Sequence, residues 1–272
     1  MNMKNNKKLK AVIFDLSGTI IDFGSLATIT AMKKIFQLKG INLTSEIINK
    51  DMGIKKKLHI TKILKIPSIK LMWLDKYKKP VTQAEFNDMC YRFDKELIIA
   101  VKKNLNLIPN VKNIIKLLKK NNIKIGVTTG YPKKITKIIL DFLKKKNINI
   151  DSCVSDDEVK KGRPNSDMCV KNFKKLKINS PKNCLKVDDS FSGIMEGKNA
   201  RMLTVGLVCT GIQMGLSQNE YKKINKFKLN NIIKSIRKNF KYYINENFIN
   251  YYFLSRYAGK TPRFIKFSKL GY

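Results

Sequence analysis

The chain has 272 residues, enough for a full hydrophobic core and a second, smaller module, and no stretch approaches the ~18 continuous apolar residues of a membrane span. Its 56 Lys and Arg against 20 Asp and Glu give a formal net charge of +36, a balance that ordinarily suggests a nucleic acid or an anionic surface. The lysines, however, are spread over the whole chain among asparagines and isoleucines and form no stripe for phosphates. This argues against specific nucleic-acid binding and leaves a field that speeds capture of a small anionic substrate.

The basic amino terminus, Met1 to Lys8, leads into an apolar run too short for a signal segment, so a cytoplasmic protein is expected. Five cysteines, Cys90, Cys153, Cys169, Cys184 and Cys209, are widely spaced and form no C-x-x-C, and there is one histidine. They read as reduced core residues rather than a zinc site. Ala11 to Leu16 reads as a buried strand ending at Asp15 and running into the turn Ser17-Gly18-Thr19. Helical patterns follow over Ala27 to Leu38, Thr44 to Lys50, Ile54 to Ile66, Ser68 to Tyr77 and Thr82 to about Lys103. Together they predict an all-helical insert that reads as a lid, residues 23–103, between a first core part, 1–22, and a second, 104–246.

From Pro109 the texture alternates. Helices are predicted over Val111 to Lys120, Lys133 to Lys146, Ser166 to Leu176 and Gly193 to Asn199. Strands are predicted over Ile123 to Gly130, Cys153 to Ser155, Asn183 to Val187 and Leu203 to Val208. That order argues for an α/β fold, a doubly wound parallel sheet with an inserted helical cap. A helix from Leu229 to Asn239 and a last strand, Lys241 to Ile244, follow more weakly, and residues 247–272 stay unassigned.

In such a sheet Asp15, Thr129 and Asp188-Asp189, all at strand ends, share one crevice. Any one of them alone reads as a strand-end polar group. Two or three converging carboxylates need a cation, and oxygen ligands suit Mg²⁺. Thr129, the Gly130 amide and Arg163 are then placed to hold phosphoryl oxygens, which makes an aspartyl-phosphate site.

D-x-x-G-T at Asp15, the strand-end Thr129, Arg163 and the final acidic pair occur in the order found in the haloacid dehalogenase superfamily, which the chain resembles from about Ala11 to Ser217. The resemblance implies Asp15 as nucleophile and metal ligand and Asp189 as metal ligand. One departure is Ser17, where phosphatases of the superfamily carry a second Asp as the acid and base for an alkoxide leaving group.

Met52-Gly53-Ile54-Lys55-Lys56-Lys57-Leu58-His59 is similar to the M-G-x-x-K-x-x-H stretch of the phosphonatase family, as are Phe23-Gly24-Ser25-Leu26-Ala27, Thr128-Thr129-Gly130-Tyr131, Gly162-Arg163-Pro164 and Thr204-Val205-Gly206. A lysine among three reads as a solvated helix face and a lone histidine as a packed side chain; the resemblance instead implies a Schiff base at Lys56 and proton transfer by a protonated His59. It implies Met52, Gly53, Thr129, Gly130, Tyr131 and Arg163 around the substrate, and a homodimer. Mg²⁺ would be held by Asp15, Asp189 and the Ser17 carbonyl, alanine being usual at Ser17. The expected activity is C–P hydrolysis of phosphonoacetaldehyde. The family's final motif, G-D-x-x-x-D, lacks its second Asp here because position 193 is Gly, and Asp188 is the candidate replacement. Two other readings stand beside this one: a phosphatase or sugar-phosphate mutase using Lys56 as a charge clamp, and a non-catalytic basic binding protein.

Overall fold

A computed structural model describes residues 9–207, 210–212 and 216–224. Strand β1, Ala11–Phe14, is buried at every position and is followed by five helices: α1 (Leu26–Gln37), α2 (Ser45–Asn49), α3 (Lys56–Leu64), α4 (Pro67–Tyr77) and α5 (Gln83–Lys103). Beyond them run α6 (Val111–Lys120), β2 (Lys124–Thr129), α7 (Lys133–Lys145), β3 (Ser152–Ser155), α8 (Asp167–Lys175), β4 (Cys184–Asp188), α9 (Phe191–Asn199), β5 (Leu203–Gly206) and α10 (Gln218–Lys223). Among the described residues the five strands form one wholly parallel sheet in the order β3-β2-β1-β4-β5. The chain fills one side of β1 first and then crosses to the other, so the crevice lies at the carboxyl ends of β2, β1 and β4.

The helical insert is built from local signals that its sequence carries. Thr82 accepts from the amide of Glu85 at 3.2 Å while Glu85 accepts from the Thr82 amide at 2.8 Å, a reciprocal cap that starts the long α5. The buried stripe Met89, Cys90, Phe93, Leu97 and Val101 lays α5 along α1, which presents Ala31, Met32, Ile35 and Phe36. Trp73, 1% exposed, anchors α4 in the same core. Lysines close α6 and α7, where cations suit the helix dipole.

Most differences from the expected boundaries are a residue or two. α3 begins at Lys56, not Ile54, because Gly53 has a positive φ of 87° and the chain is still turning there. α9 begins at Phe191, ahead of Gly193, because the Ser190 side chain caps it by accepting from the Gly193 amide at 3.1 Å. Cys90, Cys169 and Cys184 are buried free thiols and Cys153 is half-buried; Cys209 lies outside the described residues. The helix expected at Leu229, the strand at Lys241 and residues 247–272 also lie outside them. Among the described residues no helix is long and apolar enough to cross a membrane.

Candidate active site

One pocket opens at the carboxyl ends of the central strands, and Asp15, Ser17, Thr129, Gly130, Tyr131, Arg163 and Asp189 line its sheet side. Met52, Gly53, Lys56 and His59 line it from the helical insert. Every residue given a catalytic, substrate or metal role from the sequence, except Asp188, therefore borders this space. Asp188 lies just behind it, fully buried, with one oxygen within 4.8 Å of an oxygen of Asp15 and of Asp189.

The turn after β1 is shaped by Gly18, whose φ is +74° and where a Cβ would overlap the Asp189 carboxylate and the Ser25 hydroxyl. Asp22 then collects the turn: its carboxylate accepts from the amides of Leu26 and Ala27, at 2.9 and 3.1 Å, and from the Ser17 hydroxyl at 2.6 Å. The hydroxyl that distinguishes Ser17 is thus bound to Asp22, while its carbonyl stays part of the turn. Thr129 accepts from the Tyr131 amide at 3.1 Å, which leaves its own hydroxyl hydrogen for a ligand oxygen.

Beneath the pocket lies a buried charge cluster. Arg163 donates from Nη2 to Asp15 Oδ1 at 2.7 Å and to the Thr128 carbonyl at 2.9 Å, and from Nε to Glu196 at 2.9 Å; its Nη2 also lies 3.2 Å from Asp188 Oδ2. Lys186, wholly buried in β4, donates to the Thr128 hydroxyl at 2.6 Å and pairs with Asp188 at 2.9 Å and with Glu196 at 3.5 Å. Burial opposes both cations, yet the carboxylates around them prevail and raise both pKa values. Burial pushes Asp15 up to about 6, the neighbouring Asp188 charge adds to the push, and Arg163 and Lys186 restrain it. Asp189 is driven well above the ordinary range by burial and then by the charges of Asp15 and Asp188. Asp188 goes the other way, because Arg163 and Lys186 outweigh its burial.

Fully ionised, Asp15, Asp188, Asp189 and Glu196 carry two more charges than Arg163 and Lys186 cancel. The donor set consists of oxygens only, and a divalent cation would offset both the burial and the mutual repulsion that raise Asp15 and Asp189. The residues therefore fit Mg²⁺.

On the other wall, Lys56 stands in the first turn of α3 and its Nζ donates to Asp94 of α5 at 2.6 Å. His59, one turn on, is 2% exposed, and its Nε2 lies 3.0 Å from the Ile48 carbonyl. A carbonyl only accepts, so Nε2 carries the hydrogen and Nδ1 is the ring's acceptor. Burial pushes the His59 pKa down, which disfavours the protonated form. The loop ahead of α3 is fastened to the sheet domain. Lys55 donates to the carbonyls of Asp156 and Val159 at 3.5 and 3.3 Å, and Ser192 donates to the Met52 carbonyl at 2.9 Å.

Sequence reasoning missed Asp22, Asp94, Lys186 and Glu196. Lys186 had a legible signal, a lysine inside an otherwise buried strand run, Cys184 to Val187, where an unpaired charge is not tolerated. Asp94 had none, since an acid beside the apolar stripe of α5 reads as solvated surface.

A family model described as haloacid dehalogenase-like hydrolase matches residues 9–201. The chain is 34% identical over 235 residues to the bifunctional phosphonoacetaldehyde hydrolase/aminoethylphosphonate transaminase of Clostridioides difficile, covering 86% of this chain but only 37% of that longer protein. It is 33% identical to the phosphonoacetaldehyde hydrolase of Bacillus cereus, over 86% of this chain and 88% of the relative, and 34% identical to that of Hahella chejuensis, over 80% and 74%. A crystal structure of a phosphonoacetaldehyde hydrolase-like protein from Oleispira antarctica superposes with a TM-score of 0.82 at 30% identity, covering 85% of this chain and 84% of that one. With the Asp15 turn, the buried arginine and the Met-Gly-Lys-His segment meeting in one pocket, the chain belongs to the phosphonoacetaldehyde hydrolase family of the haloacid dehalogenase-like hydrolases.

Proposed function

We propose that the chain hydrolyses the C–P bond of phosphonoacetaldehyde to acetaldehyde and phosphate. The observation that carries this reading is that Lys56 and Asp15 border the same pocket from opposite walls, while position 17 offers no carboxylic acid. An ester-cleaving site needs a proton donor for the departing alkoxide; Ser17 already donates its proton to Asp22. A carbon leaving group needs an electron sink instead, and an amine supplies one.

The residues divide the work as follows. The Lys56 amine adds to the substrate aldehyde and expels water, giving an imine; Asp94 fixes the direction of the side chain. Arg163 holds Asp15 Oδ1, so that Oδ2 is the oxygen aimed at phosphorus. As that oxygen bonds to phosphorus the C–P pair flows into the imine, leaving an enamine on Lys56 and an acyl phosphate on Asp15. Thr129 and the Gly130 amide receive the phosphoryl oxygens. His59 Nδ1 accepts and returns protons during imine formation and enamine protonation. Water then hydrolyses the imine and the acyl phosphate, and the sum consumes one water per substrate. Asp15, Asp189, the Ser17 carbonyl and Asp188 would hold Mg²⁺, which would supply charge neutralisation for the phosphoryl group.

Borohydride reduction in the presence of phosphonoacetaldehyde tests the proposal. We expect a covalent two-carbon adduct on Lys56 and, without reductant, release of acetaldehyde and phosphate in equal amounts. Phosphate release from simple esters with no trapping would replace the reading with that of a phosphatase or mutase.

A further inference from the structure

The M-G-x-x-K-x-x-H pattern leaves position 55 open, and this chain fills it with a lysine that is not part of a solvated helix face. Lys57 stands exposed, whereas Lys55 turns toward the sheet domain. Its amine meets three oxygens of the loop between β3 and α8: it donates to the carbonyls of Asp156 and Val159 at 3.5 and 3.3 Å and lies 3.8 Å from the Asp156 carboxylate. Its stem lies across Gly162. A Cβ built there would sit 2.8 and 3.0 Å from Cε and Cγ of Lys55 and would overlap the Asp156 carboxylate. No positive φ demands glycine at 162, so the residue supplies room rather than a turn.

The contact joins the neighbours of the two groups that must meet. Lys55 precedes Lys56, which borders the pocket, and Gly162 precedes Arg163, which donates to Asp15 Oδ1 at 2.7 Å. The same turn presses on the opposite wall, where a Cβ at Gly130 would meet the Gly53 carbonyl at 3.0 Å. The plainer reading is a half-exposed ion pair, which adds little to stability. It accounts for the amine but not for a stem laid into a gap one residue from Arg163. We infer that Lys55 is a positioning residue: lying across Gly162, it sets the separation between the imine-forming amine of Lys56 and Asp15. Resting on the proposed C–P cleavage, this role belongs to the step that needs both groups, transfer of phosphorus to Asp15, and not to imine formation, which needs Lys56 alone.

Borohydride reduction separates the two steps by mass. An imine trapped before cleavage leaves a phosphonoethyl group on Lys56, and one trapped after cleavage leaves an ethyl group. In Lys55→Ala, kcat for acetaldehyde release is expected to fall about 10–100-fold with KM within about twofold of wild type, and the trapped adduct to shift from ethyl to phosphonoethyl. Lys55→Arg is expected to recover most of kcat and the ethyl adduct. Asp156→Asn, which removes the charged contact without touching α3, is expected to move both readouts the same way by about 2–5-fold. Unchanged kcat in Lys55→Ala, an equal loss of total trapping and release, or no recovery in Lys55→Arg overturns the inference; if Lys55→Ala does not fold, an unchanged Asp156→Asn does so. Wild type that forms neither adduct and releases no acetaldehyde sinks the C–P reading and this role with it, whereas an active wild type beside a normal Lys55→Ala sinks this role alone.

Discussion

Asp15→Asn should remove activity and yet stabilise the metal-free protein. Burial, with the Asp188 charge behind it, raises the Asp15 carboxyl from 3.8 to about 6 against the pull of Arg163 and Lys186. A raised folded-state value means that the native protein binds this proton more tightly than the unfolded chain does. The group therefore lowers stability as pH rises from 3.8 through 6, and above that the full cost of the ionised carboxylate is present. The rise corresponds to about 3 kcal/mol. Asparagine keeps the shape, still accepts from Arg163 through Oδ1, and never ionises. In EDTA at pH 8 the variant should melt roughly 6–12 °C above wild type, with the gap closing toward pH 4 and shrinking when Mg²⁺ is added to both. Thermal melts followed by circular dichroism from pH 4 to 8 measure this. A variant no more stable than wild type at pH 8 in EDTA would show that the Arg163 pairing outweighs burial and would refute the reasoning.

Lys56→Arg keeps a cation for Asp94 but cannot form the imine; borohydride trapping should vanish and acetaldehyde release should fall roughly a thousandfold or more, whereas retained release would place the imine elsewhere. Asp94→Asn removes a half-exposed partner, so it should cost only about 0.3–1 kcal/mol of stability while slowing the trapping rate; an unchanged rate would deny Asp94 its part in aiming Lys56. For His59 the folded pKa is lowered, so wild-type stability should decline as pH falls below about 6.5. His59→Gln should flatten that part of the melting curve between pH 7 and 5, and identical slopes would mean that the ring is not buried neutral.

The sheet was legible because its strands are short β-branched runs that end in polar residues, and β1 to β5 lie within two residues of their expected places. The insert was legible because caps such as Thr82 and stripes such as Met89, Phe93 and Leu97 leave local traces. What the sequence hid is relational. Nothing local tells that Asp22 binds the Ser17 hydroxyl or that Asp94 meets Lys56 across 38 positions. Nor can one count charges until Lys186 and Glu196 are known to face the same cavity floor as Arg163. The burial of His59 was hidden for the same reason: spacing gives the helical face, whereas exposure depends on how much water the neighbouring helices exclude.

The fastening of Met52 and Lys55 to the sheet domain bears on how turnover ends. Lys55 reaches the carbonyls of Asp156 and Val159, while Lys56, one peptide away, points into the pocket. The tether and the anchoring amine therefore share a backbone and move together. Under the proposed reaction, an opening that lets the aldehyde leave would carry the Lys56 amine away from Asp15, so that departure of product and resetting of the two reaction centres would be a single mechanical event. The Lys55 amine also lies 3.8 Å from the Asp156 carboxylate, so the tether carries charge as well as hydrogen bonds.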